Sequence, residues 1–167
     1  MFEVLVFVYE NYWGGDACPQ PDQLQRKLRA VGFEADEIQQ ALAWLGALSL
    51  ATRNTRISPR AEPATPSNDS LTSVAQSSAS MRVYSIEEQN RLGPLCLGFI
   101  SFLESSGVLP AYMREVVLDR ALASGTDMID LDDLKIIVLM VYWSYGEEPD
   151  ALILDELCDD GNSRIGH

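Results

Sequence analysis

The chain has 167 residues, room for one ordinary domain or two small ones, and 47% hydrophobic residues place it among globular rather than disordered proteins. Twelve Lys and Arg stand against 25 Asp and Glu, for a net charge of -13. That balance opposes nucleic acid, whose affinity comes largely from cations meeting phosphates, and opposes anionic membrane surfaces; it leaves neutral or cationic proteins as partners.

Residues 2–13 are largely apolar, with Glu3 and Glu10 the only charges. These two are seven apart, so they share one side of a helix, whereas a strand would send them to opposite faces. Gly14, Gly15 and Pro19 end the segment. Pro21 and Asp22 open a second helix carrying Leu24, Leu28 and Val31, and Gly32 closes it. Phe33 then tucks toward the core. A third helix starts at Asp36 or Glu37, with Ile38, Ala41, Leu42, Leu45 and Leu48 as its buried face and Trp44 flanking it. Helix, short turn with Gly, helix is also the outline of a helix-turn-helix. Yet residues 34–51 contain no Lys or Arg, and only Gln39 and Gln40 offer groups suited to base edges. A plain packing unit is the better reading.

Residues 52–80 are rich in Ser, Thr and Pro and contain no aromatic residue. Such a stretch buries too little apolar surface to offset its ordering entropy, and reads as a flexible linker. Arg53, Arg56 and Arg60 keep its first part soluble; the alternative is a weak contact with an anion or a partner. Residues 81–84 form a short extended piece. Ser85 and Glu88 then fit a capping box, with Glu87 and Arg91 set for an i, i+4 ion pair. Gly93-Pro94 breaks or kinks this helix, which resumes with Leu95, Phe99, Phe102 and Leu103 as its apolar stripe and stops near Gly107. Pro110 begins the next helix, whose buried side is Met113, Val116, Val117, Ala121 and Leu122. Arg114, Glu115, Asp119 and Arg120 face out or pair with the neighbouring segment.

The run at 134–143 is interrupted only by Lys135. It is too short to span a bilayer, which takes about twenty apolar residues, so it is a segment to be surrounded by protein. Asp130 before it and Asp132 and Asp133 in its first turn mark a helix start. Residues 131–144 therefore read as the central helix, with a buried strand as the rival. A short last helix follows at 149–158, and 159–167 is a frayed tail.

Catalytic and metal chemistry find little support. The single histidine, His167, is the last residue and cannot be held as a general base. The common phosphate-binding glycine loops are absent. The acidic run 127–133 fails the calcium-loop pattern, since the positions that need Gly and Glu hold Lys135 and Val141, or Asp132 and Val138. Cys18, Cys96 and Cys158 form neither a Cys-x-x-Cys pair nor a Cys/His cluster. The N-terminus lacks a basic leader region, so the expected compartment is the cytoplasm.

Several segments together resemble the Smg family of bacterial proteins, also called DUF494. They are the opening 1–5, Gly32-Phe33, 41–45, 81–84, Glu87-Glu88, 98–104, 114–122 and 131–141. The linker is longer than the family picture suggests, and Gly93-Pro94 interrupts a helix expected to be continuous. The resemblance implies no catalytic residues. It also implies a link to DNA metabolism, because the family's genes often lie beside those for a DNA-processing protein and a topoisomerase; that is an association, not a mechanism.

The resulting expectation is an all-α protein: a three-helix unit at 1–51, a linker at 52–80, a second helical unit at 81–158 and the tail. It is not an enzyme, takes no cofactor or metal, and works by contacting another protein. Arg82, Tyr84, Arg114 and Arg120 are its candidate contact residues. The alternative is a nucleic-acid binder using the helix-turn-helix outline.

Overall fold

The apolar run at 134–143 is helical, and other described helices pack around it. A computed structural model describes residues 1–12, 21–57 and 82–147. Among these the elements are α1 (Phe2–Tyr12), α2 (Pro21–Val31), α3 (Ala35–Ile57), α4 (Ile86–Ser105), α5 (Ala111–Leu122) and α6 (Leu131–Tyr145). No strand occurs among the described residues, and the fold class is all-α. The helix expected at 149–158, the tail, the turn at 14–19 and most of the expected linker lie outside the described residues.

α6 begins where its carboxylates place it. Asp130 Oδ1 accepts the Asp133 N–H at 2.7 Å, and Gly146, with φ 69°, closes the other end. Leu134, Ile137, Val138, Met140 and Val141 are fully buried, and α6 packs against α1, α3, α4 and α5. α1 contributes Val4, Leu5 and Val8 and turns Glu3 and Glu10 to solvent, as their spacing requires. α2 contributes Leu24 and Leu28, while Val31 lies off that face and is exposed. The Phe33 ring meets Phe7 edge-on at 5.7 Å.

α3 departs from its expected form in two ways. Trp44 is core, only 4% exposed, while Leu42 and Leu45 are partly buried. The buried stripe is thus rotated toward Trp44, because α3 meets α5 and α6 as well as α1 and α2. The helix also runs to Ile57, past the end expected near residue 50. Thr52 is buried, and the Thr52 and Thr55 hydroxyls donate to the Leu48 and Ala51 carbonyls one turn back. Packing on the bundle carries the helix into a stretch whose composition reads as linker. Residues on both sides of the undescribed 58–81 stretch close over one hydrophobic core.

α4 is broken at Gly93, whose φ of 66° and ψ of 174° fall in a region reserved to glycine. Pro94 adds the loss of a backbone donor. The Arg91 carbonyl beside the break accepts the Ile129 N–H at 2.9 Å. A Cβ at Gly93 would meet nothing within 4 Å, so the penalty of Gly93→Ala is backbone strain alone. It should lower stability by about 1–3 kcal/mol, read as a shift in denaturant midpoint.

Of the expected apolar stripe of α4, only Leu103 is fully buried. The buried stripe is Leu92, Cys96, Ile100 and Leu103. Leu95, 75% exposed, and Phe102, 52% exposed, point outward with half-buried Phe99 between them. Beyond the break, then, α4 is apolar on two sides.

Candidate partner-binding surface

The extended residues before α4 are pinned by alternating charges. Ser85 and Glu88 form the expected capping box: Ser85 Oγ accepts the Glu88 N–H at 3.2 Å, and Glu88 Oε2 accepts the Ser85 N–H at 2.6 Å. Glu88 also receives two hydrogen bonds from Arg82, at 2.7 and 3.1 Å. The other edge of the Arg82 guanidinium meets Glu115 on α5 at 2.8 and 3.0 Å. Glu115 in turn accepts from Arg114, and Arg114 reaches Glu104 at the end of α4. The series Glu88, Arg82, Glu115, Arg114, Glu104 thereby fastens the extended residues and both ends of α4 to α5.

These contacts set the protonation of the series. The hydrogen bonds from Arg82 outweigh the effect of burial and hold the Glu88 carboxyl down at about 2. For Glu115, burial pushes upward, but hydrogen bonds from Arg82 and Arg114 prevail and the net shift is downward. Glu88, bonded to Arg82, raises the Arg82 guanidinium above its ordinary value.

The expected contact residues separate. Arg82, Tyr84 and Arg114 come together: Tyr84 presents its ring to the Arg82 guanidinium at 4.9 Å, and Arg114 is buried, 3% exposed, rather than facing out. Their charge is spent inside the molecule. Arg120 stands apart and pairs with its neighbour Asp119 at 2.6 and 2.9 Å. Its backbone matters more, because the Arg120 carbonyl accepts the Trp44 indole N–H at 3.0 Å.

Arg91 also departs from expectation. It donates to the Leu122 carbonyl at 2.8 Å and to the Thr126 carbonyl instead of pairing with Glu87. The end of a helix leaves carbonyls without helical partners. Trp44 from α3 and Arg91 from α4 fill that role for α5. A bonded pair of this kind is set by residues 31 and 35 positions away, which local spacing does not register.

What stands out to solvent is apolar. Val83 and Ile86 beside the charge series are 88% and 78% exposed. Leu95 and Phe102 occupy the outer side of α4, and Met128 is exposed in the α5–α6 connection. Next to Met128 lie Asp127, Asp130 and Asp132, all exposed, and none has an ion-pair partner among the described residues. Burial, then the charges of Asp130 and Asp132, push the Asp133 carboxyl up to about 6. A raised carboxyl disfavours the folded state once it ionises, so its contribution is lost as pH rises through about 6 and fully restored below 3.8. Asp133→Asn should therefore raise the thermal midpoint at pH 7 and change little near pH 3.5.

Among the described residues no helix is long and apolar enough to cross a membrane, and no group of three or more His, Cys, Asp or Glu is placed to hold a metal ion. These features define an acidic, all-α protein with a closed core and apolar side chains displayed outside it. The chain belongs to the DUF494 family, described as proteins of unknown function, whose model matches residues 1–167. It is 54% identical over 167 residues to the Protein Smg homolog of Leptothrix cholodnii and 53% identical over 167 residues to that of Methylibium petroleiphilum. Against the Protein Smg homolog of Herminiimonas arsenicoxydans the identity is 45% over 170 residues. Each comparison covers 100% of both chains. No solved structure matches.

Proposed function

We propose that this is a non-catalytic cytoplasmic protein that works by binding another protein, as an adaptor. The observation that carries the reading is the outer side of α4. Leu95, Phe99 and Phe102 form an apolar stripe at i, i+4 and i+7, although a complete core is already formed on the opposite side. A helix that is apolar all round is ordinarily enclosed on every side, and contiguous exposed apolar surface marks interaction sites. In this reading Arg82, Tyr84 and Arg114 are positioning residues, holding the extended segment so that Val83 and Ile86 stand clear of the core. Arg120 adds a charged edge on α5. The gene-neighbour association favours a partner that handles DNA.

The test is photocrosslinking in cells. A crosslinking amino acid at Phe102 or Ile86 should trap one discrete protein species. The same group at Gln40, exposed on α3, should not. Equal, diffuse labelling at all three positions would remove the reading. The competing function, nucleic-acid binding through α2 and α3, draws on the exposed Arg26, Lys27 and Arg29 of α2. Of these, Arg26 donates to the Asp22 carbonyl at 3.2 Å and Lys27 lies 5.2 Å from the Tyr12 ring centre. A mobility shift at low salt with a steep salt dependence would favour it.

A further inference from the structure

We infer that the outer stripe of α4, extended by Met128, receives a basic amphipathic helix from the partner protein. This rests on the protein-binding reading and adds the chemistry of the partner.

The α5–α6 connection is tied to α4 beside its break. The Ile129 N–H bonds the Arg91 carbonyl at 2.9 Å, and the Cys96 thiol donates to the Ile129 carbonyl at 3.4 Å. The α5–α6 connection is thus fixed against α4 at residues 91–96. Leu95 and Met128, 75% and 72% exposed, flank that tie. Phe99 and Phe102 continue the stripe along α4 by one and two turns. The length suits a helix laid alongside, read through anchors spaced at i, i+3 or i+4, and i+7.

The rim decides the charge of the occupant. Asp127, Asp130 and Asp132 are exposed within four positions of Met128, and none has an ion-pair partner among the described residues. An approaching anionic face meets repulsion there, and a cationic one is drawn in. A second copy of this chain carries the same net charge of -13, so self-association opposes the field. The chain's own 148–167 stretch bears Glu148, Asp150, Asp155, Glu156, Asp159 and Asp160 against a single Arg164, and it too meets like charge. A partner helix with Leu or Ile on one side and Lys or Arg along the flanks satisfies both the stripe and the rim.

The probe is a synthetic amphipathic Leu-Lys helical peptide, with a Leu-Gln counterpart of the same pattern, titrated by fluorescence anisotropy onto the full chain. The Leu-Lys peptide should bind and the Leu-Gln peptide should bind at least about tenfold more weakly. Leu95→Ser with Phe102→Ser leaves the net charge unchanged and should weaken the Leu-Lys peptide about tenfold or more. Asp127→Asn with Asp130→Asn and Asp132→Asn keeps a capping side chain at Asp130 and should weaken it by a similar factor. Circular dichroism of each variant confirms that the helices persist. Equal binding of the two peptides, or Leu-Lys binding that ignores the apolar substitutions and follows charge alone, overturns the inference; so does no binding at all. A discrete crosslink from Phe102 in cells together with no preference for the Leu-Lys peptide would retain the protein-binding reading and discard the basic helix. Absence of both would discard the two together.

Discussion

Trp44→Ala should destabilise the protein by about 3–5 kcal/mol, the range for truncating a buried aromatic side chain to alanine. Trp44 is 4% exposed and joins α3 to α5 twice over, by packing and by the indole N–H bonded to the Arg120 carbonyl at 3.0 Å. The substitution leaves a cavity where α3 meets α5 and takes a donor from the end of α5. Trp44→Phe separates the two effects: it keeps much of the volume and loses the hydrogen bond, for a smaller loss of about 1–2 kcal/mol. Urea unfolding at fixed pH measures both. A loss for Trp44→Ala within the range of a surface substitution would mean that α3 does not lean on α5 as described.

Arg82→Met is the second large effect. Arg82 is 17% exposed and Glu88 10% exposed at their side chains, so removing the guanidinium strands a mostly buried carboxylate. Breaking a buried pair from one side costs about 3–5 kcal/mol; the remaining exposure and the Ser85 N–H, which still reaches Glu88, reduce the expectation to about 2–3 kcal/mol at pH 7. The pH dependence identifies the cause. Glu88 is held at about 2 against an ordinary 4.5. Its stabilisation is therefore complete above about pH 4.5 and disappears as pH falls through about 2. The gap between wild type and Arg82→Met should narrow over that window. Val83 and Ile86, no longer held by the extended segment, should then become more susceptible to limited proteolysis than in the wild type.

Local chemistry made several elements readable in advance. The capping box at Ser85 and Glu88, the start of α6 at Asp130 and the break at Gly93-Pro94 each depend on residues within a few positions of one another, and each is present as read. The central helix is legible because its run is long, apolar and opened by carboxylates. Features set by tertiary partners were not legible. Phe102 and Leu103 are adjacent and both apolar, yet one is half exposed and the other fully buried; the break at Gly93 resets the helical phase, and periodicity alone does not say which stripe meets the core. Arg114 reads as facing out or pairing with the neighbouring segment, and spacing alone does not choose between the two; it pairs. Its burial follows from Glu104 lying across the α4–α5 turn and Glu115 beside it. Arg91 was matched to Glu87 by the i, i+4 rule, but the carbonyls of Leu122 and Thr126, far along the chain, take its guanidinium. Among the proposed contact residues, Arg82 is tied to Glu88 and Glu115, and Tyr84 lies against its guanidinium. Their exposed neighbours Val83 and Ile86, which display more apolar surface, carried no signal beyond their residue type.

The tie at Ile129 reaches beyond the local geometry. Its N–H lies in an irregular connection, where amides ordinarily trade their protons with water quickly. Here that N–H is bonded to the Arg91 carbonyl, and Ile129 is 3% exposed. Its exchange with deuterated solvent must wait until α4 lifts away from the α5–α6 connection, so its rate should follow those of the α6 interior amides rather than those of neighbouring loop positions. One backbone proton thereby reports how often this corner of the bundle opens.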